Sequence, residues 1–117
     1  MFDLEHQVQV AICQYLDIRG VVHFAIPNGG KRNVITATKL KKEGVKAGVP
    51  DLCIIHEGMA FFLEVKKPAT PGKGKGRLSP AQKEMIPRLE EAGAEVKIVY
   101  SVADVIEACI DWQINVL

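Results

Sequence analysis

Two short apolar runs separated by only two residues constrain the fold of this chain more than any other feature. The first run, DLCIIH, begins at Asp51, and the second, MAFFLEVK, ends at Lys66, with Glu57 and Gly58 between them. Both runs are rich in β-branched and aromatic residues, which favours strands, and a link this short joins antiparallel neighbours. The sequence therefore predicts a β-hairpin over residues 51–66.

The segments on either side of this hairpin alternate between helical and extended patterns. Apolar residues recur at helical spacing in the predicted helices, and Ser79 and Ser101 are N-cap residues for two of them. The predicted helices cover 4–19, 34–43, 80–92 and a last segment that follows Ser101, and the further strands cover 21–26 and 94–100. This order predicts an α/β fold, with a mixed sheet of about four strands flanked by helices.

Length and composition narrow the class of protein. A chain of 117 residues has the usual size of one domain, so we expect a single domain over residues 1–117. Hydrophobic residues make up 48% and charged residues 25%, which excludes a disordered chain, a collagen-like repeat and a coiled coil. No apolar run approaches the roughly 20 residues that cross a bilayer, and the polar N-terminus is unlike a signal peptide. The three cysteines lack metal-ligand spacing and indicate buried, reduced thiols. We therefore expect a cytoplasmic protein with no membrane partner.

The net charge of +1 conceals an uneven distribution along the chain. Residues 31–77 contain eleven Lys and Arg against four Asp and Glu, a net charge of +7, and the remainder carries −6. This asymmetry indicates a surface that faces a polyanion, although an ordinary solvated surface is the alternative. Within this stretch, segment 67–78 is rich in Pro, Gly and Lys and predicts a mobile loop.

Three polar residues of the hairpin indicate a catalytic site. Asp51 begins the first strand and Glu64 and Lys66 end the second, so the hairpin brings all three to one edge of the sheet. Side chains alternate along a strand, which places Glu64 and Lys66 on the same face. Two close carboxylates repel each other unless a cation joins them, and Mg²⁺ or Mn²⁺ suits oxygen ligands. Lys66 beside the ion could orient or deprotonate water and stabilise a phosphate, which indicates phosphodiester hydrolysis.

Simpler interpretations exist for each part of this site. Asp51 follows a proline and could be a turn or cap residue, and Glu64 with Lys66 could be a solvated pair at a strand end. Nothing in the sequence resembles a Walker A loop, a Ser or Cys nucleophile triad or a zinc site. We therefore expect no nucleotide cofactor.

The pattern Pro50-Asp51…Glu64-Val65-Lys66 resembles the motif of the PD-(D/E)XK nuclease superfamily. Together with Glu5 in the first helix, the GVPD segment at 48–51 and Ser79-Pro80-Ala81-Gln82, it is similar to the VRR-NUC group, including small stand-alone members found in phages. The likeness covers nearly the whole chain. It implies a restriction-endonuclease-like fold and a nuclease that uses a metal ion.

The resemblance also implies a role for each matching residue of the hairpin. Asp51, Glu64 and the backbone carbonyl of Val65 would be ligands of Mg²⁺ or Mn²⁺. Lys66 would be the catalytic lysine. The products would carry 5′-phosphate and 3′-hydroxyl ends.

Two residues outside the hairpin complete the site that the resemblance implies. Glu5 would approach from the first helix, either as a further metal ligand through water or as an organiser of Lys66. Gln82 would point back from its helix and hold the lysine, the metal-bound water or the scissile phosphate.

Two basic segments are candidates for binding nucleic acid. Asn28, Lys31 and Arg32 lie in a glycine-containing loop whose backbone amides and cations could bind phosphate, a plain turn being the alternative. The second segment follows the hairpin and could close over DNA, with an affinity that falls as salt rises. Its candidate residues are Lys67, Lys73, Lys75 and Arg77.

These observations predict a metal-dependent DNA endonuclease. Stand-alone members of the group resemble Holliday-junction resolvases, which act as two-fold dimers, so we expect a homodimer that prefers branched DNA. One alternative is a nicking or flap nuclease in phage DNA processing. Another is a nucleic-acid-binding module that has kept the fold without catalysis, although every implied site residue is present.

Overall fold

The computed structural model describes residues 3–27 and 34–116, which form four helices and one four-stranded mixed sheet. The helices are α1 (Leu4–Ile18), α2 (Val34–Lys42), α3 (Pro80–Glu91) and α4 (Val102–Asp111), and the strands are β1 (His23–Ala25), β2 (Leu52–His56), β3 (Met59–Val65) and β4 (Glu95–Val99). The predicted α/β class and the predicted order of elements are confirmed. β1 is shorter than the six residues that the sequence predicts.

The strands lie in the order β1-β2-β3-β4, with antiparallel pairing from β1 to β3 and parallel pairing between β3 and β4. As a result, β2 begins where β1, β3 and β4 end. We call this side of the sheet the polar edge, because Asp51, Glu64 and Lys66 all lie there. The loop that starts with Pro27, after β1, also leaves the sheet at the polar edge.

The predicted hairpin is β2 and β3. Leu52 pairs with Leu63 and His56 with Met59, so the register places Asp51 across from Glu64. Glu57 and Gly58 both have positive φ, 49° and 80°, as the twist of a two-residue hairpin turn requires. The turn therefore lies at the opposite side of the sheet from the polar edge.

Helices α1 and α4 cover one face of the sheet and enclose the core. The residues of β3 that face them are apolar and buried, as the alternation along the strand predicts. After α4, the C-terminal segment returns to this core, where Ile114 and Val116 are buried and Trp112 packs on Phe61 with ring centroids 4.8 Å apart. Buried core residues are Ile12, Leu16, Leu52, Ile54, Phe61, Leu63, Val65, Val99, Val105, Ala108, Cys109, Ile114 and Val116.

Helix α3 packs against β4 and reaches Glu64, which lies on the face of β3 opposite to Leu63. The segment that connects β3 to α3 contains no helix or strand, as predicted, but backbone hydrogen bonds close it on itself. Thr70 and Lys73 exchange two such bonds of 2.9 and 3.0 Å, and Gly76 N–H donates to the Lys67 carbonyl at 2.9 Å. This part of the loop is thus more regular than a composition rich in Gly and Pro predicts.

Two further sequence expectations concern cysteines and membranes. All three cysteines are free thiols, and burial raises the pKa of each, so they remain protonated and of low reactivity. Among the helices of residues 3–27 and 34–116, none combines the length and apolar character that a membrane span needs.

Candidate active site

Asp51 is fixed at the polar edge by two bonds to neighbouring strands. Its carbonyl accepts from Ile26 N–H at 2.8 Å, and its Oδ2 accepts from Val65 N–H at 2.7 Å. The second bond joins the start of β2 to the end of β3 and holds the carboxylate across from Glu64. Asp51 is therefore a cross-strand anchor, and the interpretation as a local turn or cap residue does not describe it.

Among the residues that the structure describes, Glu64 is the only charged one that is fully buried, with 1% of its surface exposed. Its Oε2 accepts a hydrogen bond, but its Oε1 is buried and has no hydrogen-bond partner. Burial, reinforced by the nearby Asp51 carboxylate, raises the pKa of Glu64 to about 9, against the opposing effect of Lys66. An unsatisfied buried carboxylate oxygen beside a second carboxylate fits a hard divalent cation that binds oxygen ligands.

Lys66 lies directly after β3 and extends its pairing with β4. Its backbone N–H donates to the Val99 carbonyl at 2.9 Å, and its ammonium Nζ lies 4.0 Å from Glu64 Oε2. Only 11% of the Lys66 side chain is exposed. Since Glu64 is buried and Lys66 is largely shielded from solvent, the alternative of a solvated surface pair does not apply to them.

Gln82 contacts the site because the N-terminus of α3 orients its amide. Ser79 Oγ accepts from Gln82 N–H at 3.2 Å, and Gln82 Oε1 accepts from Ser79 N–H at 2.8 Å, which forms a reciprocal capping box. With its oxygen held by the cap, the amide turns its NH₂ group toward the sheet, where Nε2 donates to Glu64 Oε2 at 3.2 Å. The structure thus gives Gln82 a contact with the buried carboxylate.

Glu5 lies in the first turn of α1, at the border of this site. Partial burial raises the pKa of Glu5, the Lys66 ammonium lowers it, the nearby Asp51 and Asp3 carboxylates raise it further, and the backbone N–H of Lys67 has the smallest, lowering effect. Across residues 3–27 and 34–116, no three His, Cys, Asp or Glu side chains lie close enough to hold a metal ion together. Glu5 is therefore close enough to influence Lys66, but it does not complete a ready-made set of three carboxylate ligands.

The predicted DNA-binding residues divide between two regions. Asn28, Lys31 and Arg32 lie outside the described residues. The others occupy the loop after β3, which is seated beside the lysine of the site: an added Cβ at Gly76 would lie 3.4 Å from Lys66 Cβ. Of the lysine and arginine residues on this loop, the exposed ones are Lys73, Lys75 and Arg77, and Lys67 is partly buried.

A known protein family shares the segments that carry these site residues. The sequence matches the model of the VRR-NUC domain over residues 5–103, a range that includes every described site residue. The chain belongs to the VRR-NUC family. Membership makes it a nuclease-type domain, for which DNA is the implied substrate, and confirms the resemblance that the sequence motifs indicate. No curated protein sequence matches this VRR-NUC chain.

Solved structures share the fold of this VRR-NUC domain. One, described as a VRR_NUC domain, has a TM-score of 0.63 and 23% identity, and the alignment covers 94% of this chain and 97% of the other. A second, described as a VRR_NUC domain protein, has a TM-score of 0.69 and 23% identity, with 96% and 89% covered. These similarities support the restriction-endonuclease-like fold that the sequence predicts.

Gly48 begins the GVPD segment, but the sequence does not show what it contacts. It has a φ of +83°, and an added Cβ would overlap the Ala81 carbonyl and lie 2.9 Å from Gln82 N. The loop before Asp51 therefore touches the first turn of α3, and a glycine permits this close approach. A glycine just before Val-Pro-Asp is the available signal, but its contact lies on a helix far along the chain.

Replacing Gly48 with alanine should push the first turn of α3 away from the sheet and separate Gln82 from Glu64. We expect a loss of about 3 kcal/mol in stability and a fall of at least about tenfold in cleavage, measured by thermal unfolding and initial rates. Gly44→Ala is the matched control, because Gly44 also has positive φ but an added Cβ meets nothing within 4 Å. Equal losses in the two variants would show that the contact with α3 is unimportant.

Proposed function

We propose that this domain is a metal-dependent endonuclease that hydrolyses DNA phosphodiester bonds. The observation that carries the proposal is the buried Glu64, whose Oε1 has no hydrogen-bond partner, held across from Asp51 and 4.0 Å from Lys66 Nζ. Burial disfavours the charged form of a carboxylate, so keeping Glu64 buried with an unpaired oxygen lowers stability. A cost of this kind is expected at a functional site and not in a domain that has kept only the fold.

The proposed site divides its work among residues of the polar edge. Asp51, Glu64 and the carbonyl of Val65 would hold Mg²⁺ or Mn²⁺, which supplies Lewis-acid activation of water and of the phosphate when bound. Lys66 places a positive charge beside these ligands, where it can orient the attacking water and stabilise charge on the phosphate. Gln82 holds Glu64 in position through Oε2.

The electrostatics of the surface support a polyanionic substrate. The stretch 31–77 carries the net charge of +7, and its basic loop passes beside Lys66 at Gly76. Cations placed beside a site bring a phosphate backbone toward it and contribute affinity without reading base sequence. We therefore propose recognition of DNA structure rather than of sequence.

Branched DNA and a homodimer are the finer parts of the proposal. A four-way junction has two equivalent phosphodiesters, which a two-fold dimer with two sites can cut together. A domain of this size has little surface with which to hold a branched substrate alone. Nicking or flap cleavage by the same site is the alternative within nucleases.

The deciding experiment is cleavage of a labelled four-way junction beside a matched linear duplex, with Mg²⁺, Mn²⁺ or a chelator. Asp51→Asn is the control variant, because asparagine keeps an acceptor for Val65 N–H while removing the charge. Paired metal-dependent cuts near the crossover, absent from the variant, would support a junction-resolving dimer. Equal cutting of both DNAs would remove the junction preference, and DNA binding without cleavage under any condition would favour a non-catalytic binding module.

The salt dependence of DNA binding should report the basic loop. Replacing Lys73 and Arg77 with glutamine should make the slope of log Kd against log salt shallower by about two, since each lost phosphate contact removes about one. Arg88→Gln is the control, because Arg88 lies in the last turn of α3, away from the polar edge. Fluorescence anisotropy over a salt series measures the slopes, and an unchanged slope in the loop variant would place DNA elsewhere.

A further inference from the structure

Tyr100 occupies a position beside the proposed site that neither the mechanism nor the sequence motifs use. The parallel register pairs Glu64 with Ile98 and Val65 with Val99, and the bond from Lys66 N–H to the Val99 carbonyl extends this pairing past the strand ends. Tyr100 directly follows Val99, the last residue of β4. An aromatic residue thus lies next to the lysine of the site.

The backbone of Tyr100 is held firmly at this point. Its N–H donates to Asp104 Oδ2 at 2.8 Å, and Ser101 Oγ accepts from Asp104 N–H at 3.1 Å, so the turn between β4 and α4 is closed on both sides. Within the described residues, the Tyr100 hydroxyl makes no hydrogen bond. The backbone of Tyr100 is therefore fixed by hydrogen bonds, and the flat face of its ring can contact another group.

One face of the ring is covered by a cation from the basic loop. Lys75 Nζ lies 4.9 Å from the centroid of the Tyr100 ring. Such cation–π contacts are weak at exposed sites, and a phosphate group binds an ammonium more strongly, so the phosphate can draw Lys75 away from the ring. Once the lysine moves to the DNA backbone, an aromatic face beside Lys66 is available to a nucleobase.

We propose that Tyr100 is a stacking platform for an unpaired nucleobase next to the scissile phosphate, with Lys75 covering the ring until DNA replaces it. This inference rests on the proposed function and, within it, favours flap cleavage over the fully paired four-way junction, because it calls for an unpaired nucleotide at the cleavage point. Every base has an aromatic face, so stacking holds an unpaired base without reading its identity. A fully paired duplex offers no such face, because its bases are stacked on each other.

The test combines binding with a direct probe of stacking. Duplexes with a short single-stranded flap, carrying 2-aminopurine at the first unpaired position, and fully paired duplexes of the same sequence are bound in chelator, so that no cleavage occurs. We expect Tyr100→Leu to weaken flap binding about tenfold and paired binding less than about twofold. The quenching of 2-aminopurine by the wild type should disappear in Tyr100→Leu and remain in Tyr100→Phe.

Two results would overturn the platform. One is a wild type that binds the flap without quenching, and the other is equal weakening of both DNAs by Tyr100→Leu, which would show that the ring only anchors the loop. Lys75→Met separates these roles, because it should weaken both DNAs alike and preserve quenching. Circular dichroism verifies that each variant folds. Failure of the nuclease proposal is distinct: the wild type would then cut no DNA with Mg²⁺ or Mn²⁺, whatever the quenching shows.

Discussion

Replacing Glu64 with glutamine should abolish metal-dependent cleavage and, at the same time, raise the melting temperature of the metal-free protein. Glutamine keeps the shape of the side chain and an oxygen that can accept from Gln82, but it removes the charge whose burial is unfavourable. Each tenfold difference in proton affinity between folded and unfolded chains corresponds to about 1.4 kcal/mol. We therefore expect a rise of about 5 °C or more near pH 8 in chelator.

The pH dependence has a definite sign. The pKa of Glu64 is about 9 in the folded protein against an ordinary value of 4.5, so the folded state binds this proton more tightly than the unfolded state. Its contribution to stability is fully present below pH 4.5 and is lost progressively as the pH rises toward 9. The wild type should thus lose stability more steeply than Glu64→Gln over this interval.

Thermal unfolding in chelator and in Mg²⁺ across a pH series tests both parts of this prediction. A divalent cation should raise the melting temperature of the wild type at pH 8 and leave Glu64→Gln unchanged, since ligand binding to the folded state stabilises it. A variant less stable than the wild type in chelator at pH 8 would show that the buried charge of Glu64 is not unfavourable to folding.

Replacing Lys66 with methionine should lower the cleavage rate by about a thousandfold. The fold should be unchanged, and the DNA affinity should stay within a few-fold of the wild type. Methionine keeps the apolar stem in its partly buried position and removes the ammonium that lies 4.0 Å from Glu64 Oε2. Lys97→Met is the control, because the Lys97 ammonium pairs with Asp111 Oδ2 at 3.3 Å on the face of the sheet that carries α4, away from Glu64. Equal rates for the wild type and Lys66→Met would remove the lysine from the mechanism.

Lys66→Arg separates the two roles open to the lysine. Arginine keeps a positive charge but does not lose a proton in proteins, so it can stabilise a phosphate and cannot act as a base. Retention of a substantial rate by Lys66→Arg would assign an electrostatic role. A rate as low as that of Lys66→Met would assign proton transfer or a strict geometric requirement, and single-turnover rates measured over a pH series would separate these two.

The hairpin and its three polar residues could be predicted from sequence because both depend on local rules. A two-residue link fixes antiparallel pairing, and alternation along the strand then assigns faces, so the residue pattern alone places Glu64 and Lys66 together, as the 4.0 Å between their charged groups confirms. The same holds for Ser79, since a Ser-Pro pair before an amphipathic segment is a local start signal for a helix.

What the sequence could not reveal depends on contacts between distant segments. The overlap that Gly48 avoids involves Ala81, and the bond that anchors Asp51 comes from a backbone N–H of another strand. The state of Glu64 depends on how completely the sheet and α3 enclose it, which no spacing rule measures. Residue types thus indicated which side chains meet at the polar edge, while their burial and hydrogen bonding required the structure.

The register of the hairpin also limits which insertions and deletions descendants of this chain can tolerate. Because side chains alternate, one residue added between Asp51 and Glu64 within either strand would turn Glu64 toward the core and expose an apolar neighbour. The segment that follows Lys67 has no such restriction, since only a few backbone bonds close it. Relatives of this domain can therefore be expected to vary in length within 67–78 while keeping the spacing between the two carboxylates constant.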